Sequence, residues 1–148
     1  MRDPNRLQPL YNEICRIHKE NCPDWRFGQF IINILSESGD IFYVEDDEAI
    51  EFLEEKLSII GLNDRARNEF IMYWLPILEK NKKSLVYFEL TEEKQKYNEL
   101  KIEPKPDSLL RLTIHIKKVY RKKDIKEQYL PTFNREGFVA VEWGGVQY

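Results

Sequence analysis

Apolar side chains recur at Leu7, Leu10, Tyr11, Ile14 and Ile17, with His18 beside them, a spacing that lays one stripe along a helix. Asn21-Cys22-Pro23-Asp24 ends that helix, and Asp24 is placed to cap a second one with the stripe Phe27, Phe30, Ile31, Ile34 and Leu35. Ser38-Gly39-Asp40 stops it, and a short hydrophobic piece, Ile41-Phe42-Tyr43-Val44, follows. Glu45, Asp46, Asp47 and Glu48 then gather where a third helix should begin, because negative charge complements the dipole there. This helix is expected to bury Ile50, Leu53, Leu57 and Ile60 before Gly61 stops it. Asn63 is placed to cap a fourth, deep-lying helix carrying Ala66, Phe70, Ile71, Trp74, Leu75 and Leu78, with Pro76 loosening its last turns.

After Asn81-Lys82-Lys83 the pattern turns from helical to alternating. Residues 85–90 read as a strand, 91–97 as a polar turn or short helix and 100–102 as a second short strand; Pro104-Lys105-Pro106-Asp107 is a stiff turn. The clearest strand puts Leu110, Leu112, Ile114 and Ile116 on one face and Arg111, Thr113, His115 and Lys117 on the other. The first face should be core and the second solvated. Residues 138–143 are apolar on both faces except at Glu142, as in a strand with neighbours on both sides, and Gly144-Gly145 should release the chain. The pattern predicts an α+β protein in two parts. Residues 1–60 form a subdomain of three helices, and residues 61–148 a helix packed on a small antiparallel sheet of about four strands.

Composition sharpens this picture. The 148 residues are 42% hydrophobic and 33% charged, which fits a folded chain with a heavily solvated surface rather than a disordered one. The N-terminus lacks the apolar stretch of a signal peptide and no run reaches bilayer-spanning length, so a cytoplasmic, membrane-free protein is expected. Cys15 and Cys22 would lie about 10 Å apart on one helix, too far for a disulfide. Charge is unevenly spread: residues 1–62 carry 6 Lys/Arg against 13 Asp/Glu, and residues 63–148 carry 17 against 13.

Two stretches carry family likenesses. Asn5-Arg6-Leu7, the run from Cys22 to Phe30 (CPDWRFGQF) and Phe42-Tyr43-Val44-Glu45-Asp46-Asp47 make residues 2–57 resemble short helical bacterial and phage proteins of the YihD type. Tyr73-Trp74-Leu75-Pro76, Pro104-Lys105-Pro106-Asp107-Ser108 and Val141-Glu142-Trp143-Gly144-Gly145 make residues 57–148 similar to a domain near the end of uncharacterised, often secreted, bacterial proteins. Neither resemblance implies a catalytic residue.

The candidate chemistry is sparse. Cys15, His18 and Cys22 have metal-compatible side chains on one helix, but a structural zinc site wants four ligands, so no metal or other cofactor is expected. A Cys–His nucleophile pair there lacks an orienting carboxylate. Glu142 stands out because burial would raise its pKa and suit it to general acid or base work, although a lysine or arginine from a neighbouring strand could satisfy it instead, and that structural role is the favoured reading. The acidic residues 45–48 lack the spaced ligands and central glycine of a calcium loop. Lys117, Lys118, Arg121, Lys122, Lys123 and Lys126 place six positive charges in ten residues. Such a run can engage phosphates; in an acidic protein it reads first as a solvated hairpin connection. The large rings Trp25, Phe42, Tyr43 and Trp143 flank element ends, where aromatics anchor interfaces. The favoured reading is a non-catalytic protein-binding or regulatory module, with nucleic-acid association through 117–126 as the alternative and an enzyme built round Glu142 third.

Overall fold

The structure, a computed structural model, describes residues 8–21 and 40–148. Helix α1 spans Gln8–Asn21, where the first apolar stripe predicts it. Arg16 ties its exposed side by donating to Glu13 (Nε–Oε2 2.9 Å) and to Glu20. The second expected helix, Cys22 and Trp25 lie outside the described residues.

From residue 40 the chain builds a four-stranded sheet in the order β1-β2-β3-β4. Its strands are β1 (Phe42–Glu45), β2 (Lys83–Leu90), β3 (Ser108–Lys118) and β4 (Val139–Gln147). A 3₁₀ turn at Asp46–Glu48 leads from β1 into α2 (Ala49–Ile60) and α3 (Asp64–Asn81), and α4 (Thr91–Tyr97) follows β2. The described residues thus form an α+β fold with a helix packed on the sheet, as the pattern predicts.

The helix boundaries have local causes. Gly61 takes a left-handed conformation (φ 101°) and its N–H donates to Leu57 O and Ser58 O, closing the last turn of α2. A Cβ at that position would also lie 2.8 Å from Phe133 O. Asn63 caps α3, its Oδ1 accepting from Ala66 N at 3.0 Å. The helix continues through Pro76 to Asn81.

One core fills the space between the sheet and helices α2 and α3. It joins Phe42, Val44, Leu53, Leu57 and Ile60 to Phe70, Trp74, Leu78, Val86, Phe88 and the Leu110–Leu112–Ile114–Ile116 face of β3. The core therefore runs through the boundary expected at residues 60/61. Ile50, expected inside, is 44% exposed, because α2 turns Leu53, Leu57 and Ile60 to the sheet instead.

Three expectations about the sheet need correction. First, it is mixed rather than wholly antiparallel: β1–β2 and β2–β3 are antiparallel, but β3–β4 run parallel, with Ser108 opposite Val139 and Ile116 opposite Gln147. A parallel pair needs a long crossover, which residues 119–138 supply. The basic run therefore opens a crossover, not a hairpin. Val119 and Ile125 pack near Ile41, Leu85 and Tyr87. Lys126 O then accepts from Ile41 N at 3.0 Å, and Leu130 and Phe133 reach the helix-side core. Second, residues 100–102 form no strand. Third, among the described residues β4 is an edge strand, and it continues through both glycines. Gly145 lies against the Trp74 indole, where a Cβ would come within 2.4 Å of Cζ2. Close approach of α3, not chain release, explains that glycine.

Candidate functional site

The face of the sheet turned away from α2 and α3 is polar and buried. The alternation in β3 places Arg111, Thr113 and His115 there, and the expectation of a solvated face fails: Arg111 is 2% exposed and His115 3%. The short helix α4 lies over its Arg111 end, and Tyr148 stacks on His115 beside the cluster of Ile41, Leu85 and Tyr87.

Arg111 is satisfied on every side. Its Nε donates to Glu142 Oε2 at 2.6 Å, and its Nη1 donates to Gln95 Oε1 at 2.7 Å and to Asn98 O. Lys94 Nζ meets the same Glu142 oxygen at 3.2 Å. Glu142 thus takes the structural role favoured for it, satisfied by an arginine of the neighbouring strand, and not that of a raised-pKa acid. Its side chain is 44% exposed, and the Arg111 hydrogen bond, opposed by partial burial and aided by Lys94, holds the carboxyl below the usual carboxylate range. An ionised carboxylate clamped by two cations is a structural pair, and geometry does not aim it at a reacting centre.

Beside it runs a second chain of groups that the sequence pattern does not reveal. His115 Nε2 lies 3.0 Å from Glu89 Oε2, and His115 Nδ1 lies 2.9 Å from the Tyr148 hydroxyl, with the two rings stacked at 6.0 Å. The Tyr87 hydroxyl donates to Glu93 Oε2 at 2.6 Å. Although Glu93 as a residue is exposed, desolvation of its carboxyl end beside Tyr87 pushes it up, against the Tyr87 hydrogen bond and with the Glu89 charge adding to the rise. A carboxylate–imidazole–phenol chain can relay a proton. The hollows lined by Phe88 and Phe133, by Gln95 and Ile102, by Tyr43 and Lys122, and by Phe42 and Lys56 do not include Glu89, His115 or Tyr148. An apolar hollow of about 400 Å³ is lined by Phe88, Leu90, Leu110, Gln128 and Phe133. Gln128 is already spent there, clasping the Phe88 backbone through Phe88 N (2.9 Å) and Phe88 O (2.7 Å).

The other sequence candidates are dispersed. Phe42 is 3% exposed and packs edge-on against Phe52 at 5.2 Å, which makes it a core ring rather than an anchor. Tyr43 is half-buried and donates to Glu45 Oε1 at 2.9 Å. Asp46 of the acidic group pairs with Lys82 at 2.6 Å. In the basic run, Lys126 meets Asp40 at 3.4 Å and Lys118 lies over the Tyr120 ring. Lys122 and Lys123 share a groove with Glu45, Glu48, Asp124 and Glu127. The run is exposed at Lys118, Arg121, Lys122, Lys123 and Lys126 and half-buried at Lys117. Cys15 is a free thiol, and among the described residues no three His, Cys, Asp or Glu side chains gather to hold a metal. No described helix is long and apolar enough to cross a membrane.

Trp143 is the exception, because it stands at the middle of β4. The N–H of Tyr148 donates to Ile116 O, and Phe138 O accepts from Asp107 N and Ser108 N. Even-numbered residues of this segment therefore aim their backbone groups at β3. By the two-residue period, Val139, Val141, Trp143, Gly145 and Gln147 turn theirs to the open side. Among the described residues no strand occupies that side. The edge has no proline and no lysine, its register on β3 is unbroken, and its one charge, Glu142, pairs with Arg111 and Lys94 on the β3 side while its side chain stays 44% exposed. Natural edges normally carry such protection. Phe138 (47% exposed) immediately precedes it, and Tyr73 (62%) lies against Trp74, whose ring sits on Gly145. No protein-family model matches the chain, and no curated protein or solved structure is significantly similar to it.

Proposed function

We propose that the chain is a non-catalytic protein-binding module that takes an added strand along the outer edge of β4. The observation that carries this reading is the nine-residue strand with a full row of outward backbone donors and acceptors and, among the described residues, no proline, lysine or further strand to guard it. The half-buried Trp143 at its centre and the exposed rings of Tyr73 and Phe138 add an aromatic component suited to an interface.

Other readings have less support. Phosphate binding by residues 117–126 would set Lys122 and Lys123 to work beside four carboxylates of the same groove, which repel a polyanion. Acid–base catalysis by Glu142 would require a carboxyl free of its two cations.

The test blocks the edge without touching the β3 ladder. Proline is tolerated where a strand's N–H faces outward, and Val139 and Gln147 have that orientation. The double variant Val139→Pro/Gln147→Pro should fold yet lose the proteins that the wild-type chain retains from host extract. Retention of the same proteins by the blocked, folded variant would contradict the proposal.

A further inference from the structure

The strand that β4 accepts can be specified from β4 itself. We propose that its partner is β4 of a second copy of this chain, paired antiparallel about a two-fold axis at Trp143, so that two four-stranded sheets join into one of eight. This rests on the strand-addition reading above.

The register follows from three independent constraints. Hydrogen bonding between two outward-facing edges pairs odd-numbered residues with odd-numbered residues. A two-fold centred on Trp143 does this, setting Val141 opposite Gly145 and Val139 opposite Gln147. It is also the register of complete overlap, because Trp143 is the midpoint of Val139–Gln147.

Charge makes the second constraint. An axis one residue earlier would put Glu142 directly opposite its own copy, and like charges facing across strands are destabilising. The Trp143-centred register sets Glu142 opposite Gly144 instead. The third constraint is size. Over residues 140–146 each bulky residue then faces a small or matching one: Val141 faces Gly145, Glu142 faces Gly144, Val146 faces Ala140, and Trp143 faces Trp143. At each end Phe138, 47% exposed, comes opposite Tyr148.

Gly144 is the telling position. Gly145 is required by the Trp74 ring, but a Cβ at Gly144 would meet nothing within 4 Å. Among the described residues a Cβ there points into open space, and the residue opposite in the pair is an acid.

Gly144 also supplies the test, because substitutions there act on the pair and spare the fold. Sedimentation velocity of the purified chain at about 1–100 μM should show a reversible dimer. Gly144→Glu should raise its dissociation constant about tenfold, since two Glu–Glu oppositions form per dimer. Gly144→Lys, which sets lysine against Glu142 of the other copy, should hold the constant or lower it. Circular dichroism checks that each variant is folded; if Gly144→Glu does not fold, the lysine variant decides alone, and a dimer weakened by lysine contradicts the proposal. A wild-type chain that stays monomeric at 100 μM overturns it, as does a dimer indifferent to the sign of charge at 144. If the chain is monomeric but its extract partners still require the unblocked edge, only the identity of the partner is wrong; if they do not, the strand-addition reading fails as well.

Discussion

Arg111 and His115 are where individual residues depart furthest from the pattern that places them. The alternation of β3 correctly assigns them to the face opposite Leu110 and Ile114, but polarity alone does not tell a solvated face from a covered one. Over Arg111 the cover comes from α4, whose Lys94 and Gln95 lie far from it in sequence, and such pairings leave no local trace. Glu142 was visible as an acid in an apolar strand, and an arginine from a neighbouring strand is what satisfies it. Glu93 gives this face a measurable signature. Its carboxyl is raised in the fold, mainly by desolvation of that end, so the native state holds its proton to higher pH than the unfolded chain does. Stability due to Glu93 therefore falls as pH rises above the ordinary carboxylate value, near 4.3, and levels off above the folded one. Glu142, whose carboxyl is lowered, gives the opposite slope, so the difference between variant and wild type is the quantity to follow. Glu93→Gln, which keeps an acceptor for the Tyr87 hydroxyl, should gain stability relative to wild type as pH climbs from 4 to 7. Urea unfolding at several pH values checks this; a difference that is flat or falls with pH would show that Glu93 is not held in its protonated form.

Among the elements, helices were the more legible. The stripe of α1, the glycine stop of α2 and the Asn63 cap of α3 all fall where residue spacing and capping chemistry put them. Strands were less so. The 100–102 segment has strand-like residues but no neighbour, and β4 was cut short at Gly144-Gly145 because glycine ordinarily ends a strand. The reason it continues is tertiary: α3 crosses close enough for the Trp74 ring to lie on Gly145. That contact joins α3 to the sheet edge, with Phe70 bridging Trp74 (6.2 Å) and Trp143 (5.2 Å). Trp74 is 5% exposed, and its Nε1 has no hydrogen-bond partner among the described residues, so packing alone accounts for its place. Trp74→Ala should cost about 3–5 kcal/mol, whereas Trp74→Phe, which keeps a ring and removes the unpartnered N–H, should cost much less. Unfolding midpoints measure both; an unchanged midpoint for the alanine variant would contradict the packing of α3 on β4.

At the scale of the molecule, the crossover of residues 119–138 decides where the sheet is open. It passes along the β1 side, where Lys126 bonds Ile41 and Gln128 closes the β2 edge at Phe88 beyond the end of β1. The β4 side receives no such cover from the described residues. Sequence marked Trp143 as a candidate anchor but not the edge on which it stands, because strand order is a property of the whole topology. Amide hydrogen exchange along β4, followed by NMR as concentration is raised, tests the account most directly. The amides of Ala140, Glu142, Gly144 and Val146 should be protected throughout by β3, while those of Val141, Trp143 and Gly145 should exchange rapidly in dilute solution and slow as copies pair. If the odd-numbered amides exchange at one rate at every concentration, or are already protected in the dilute monomer, β4 is not the open edge on which this account depends.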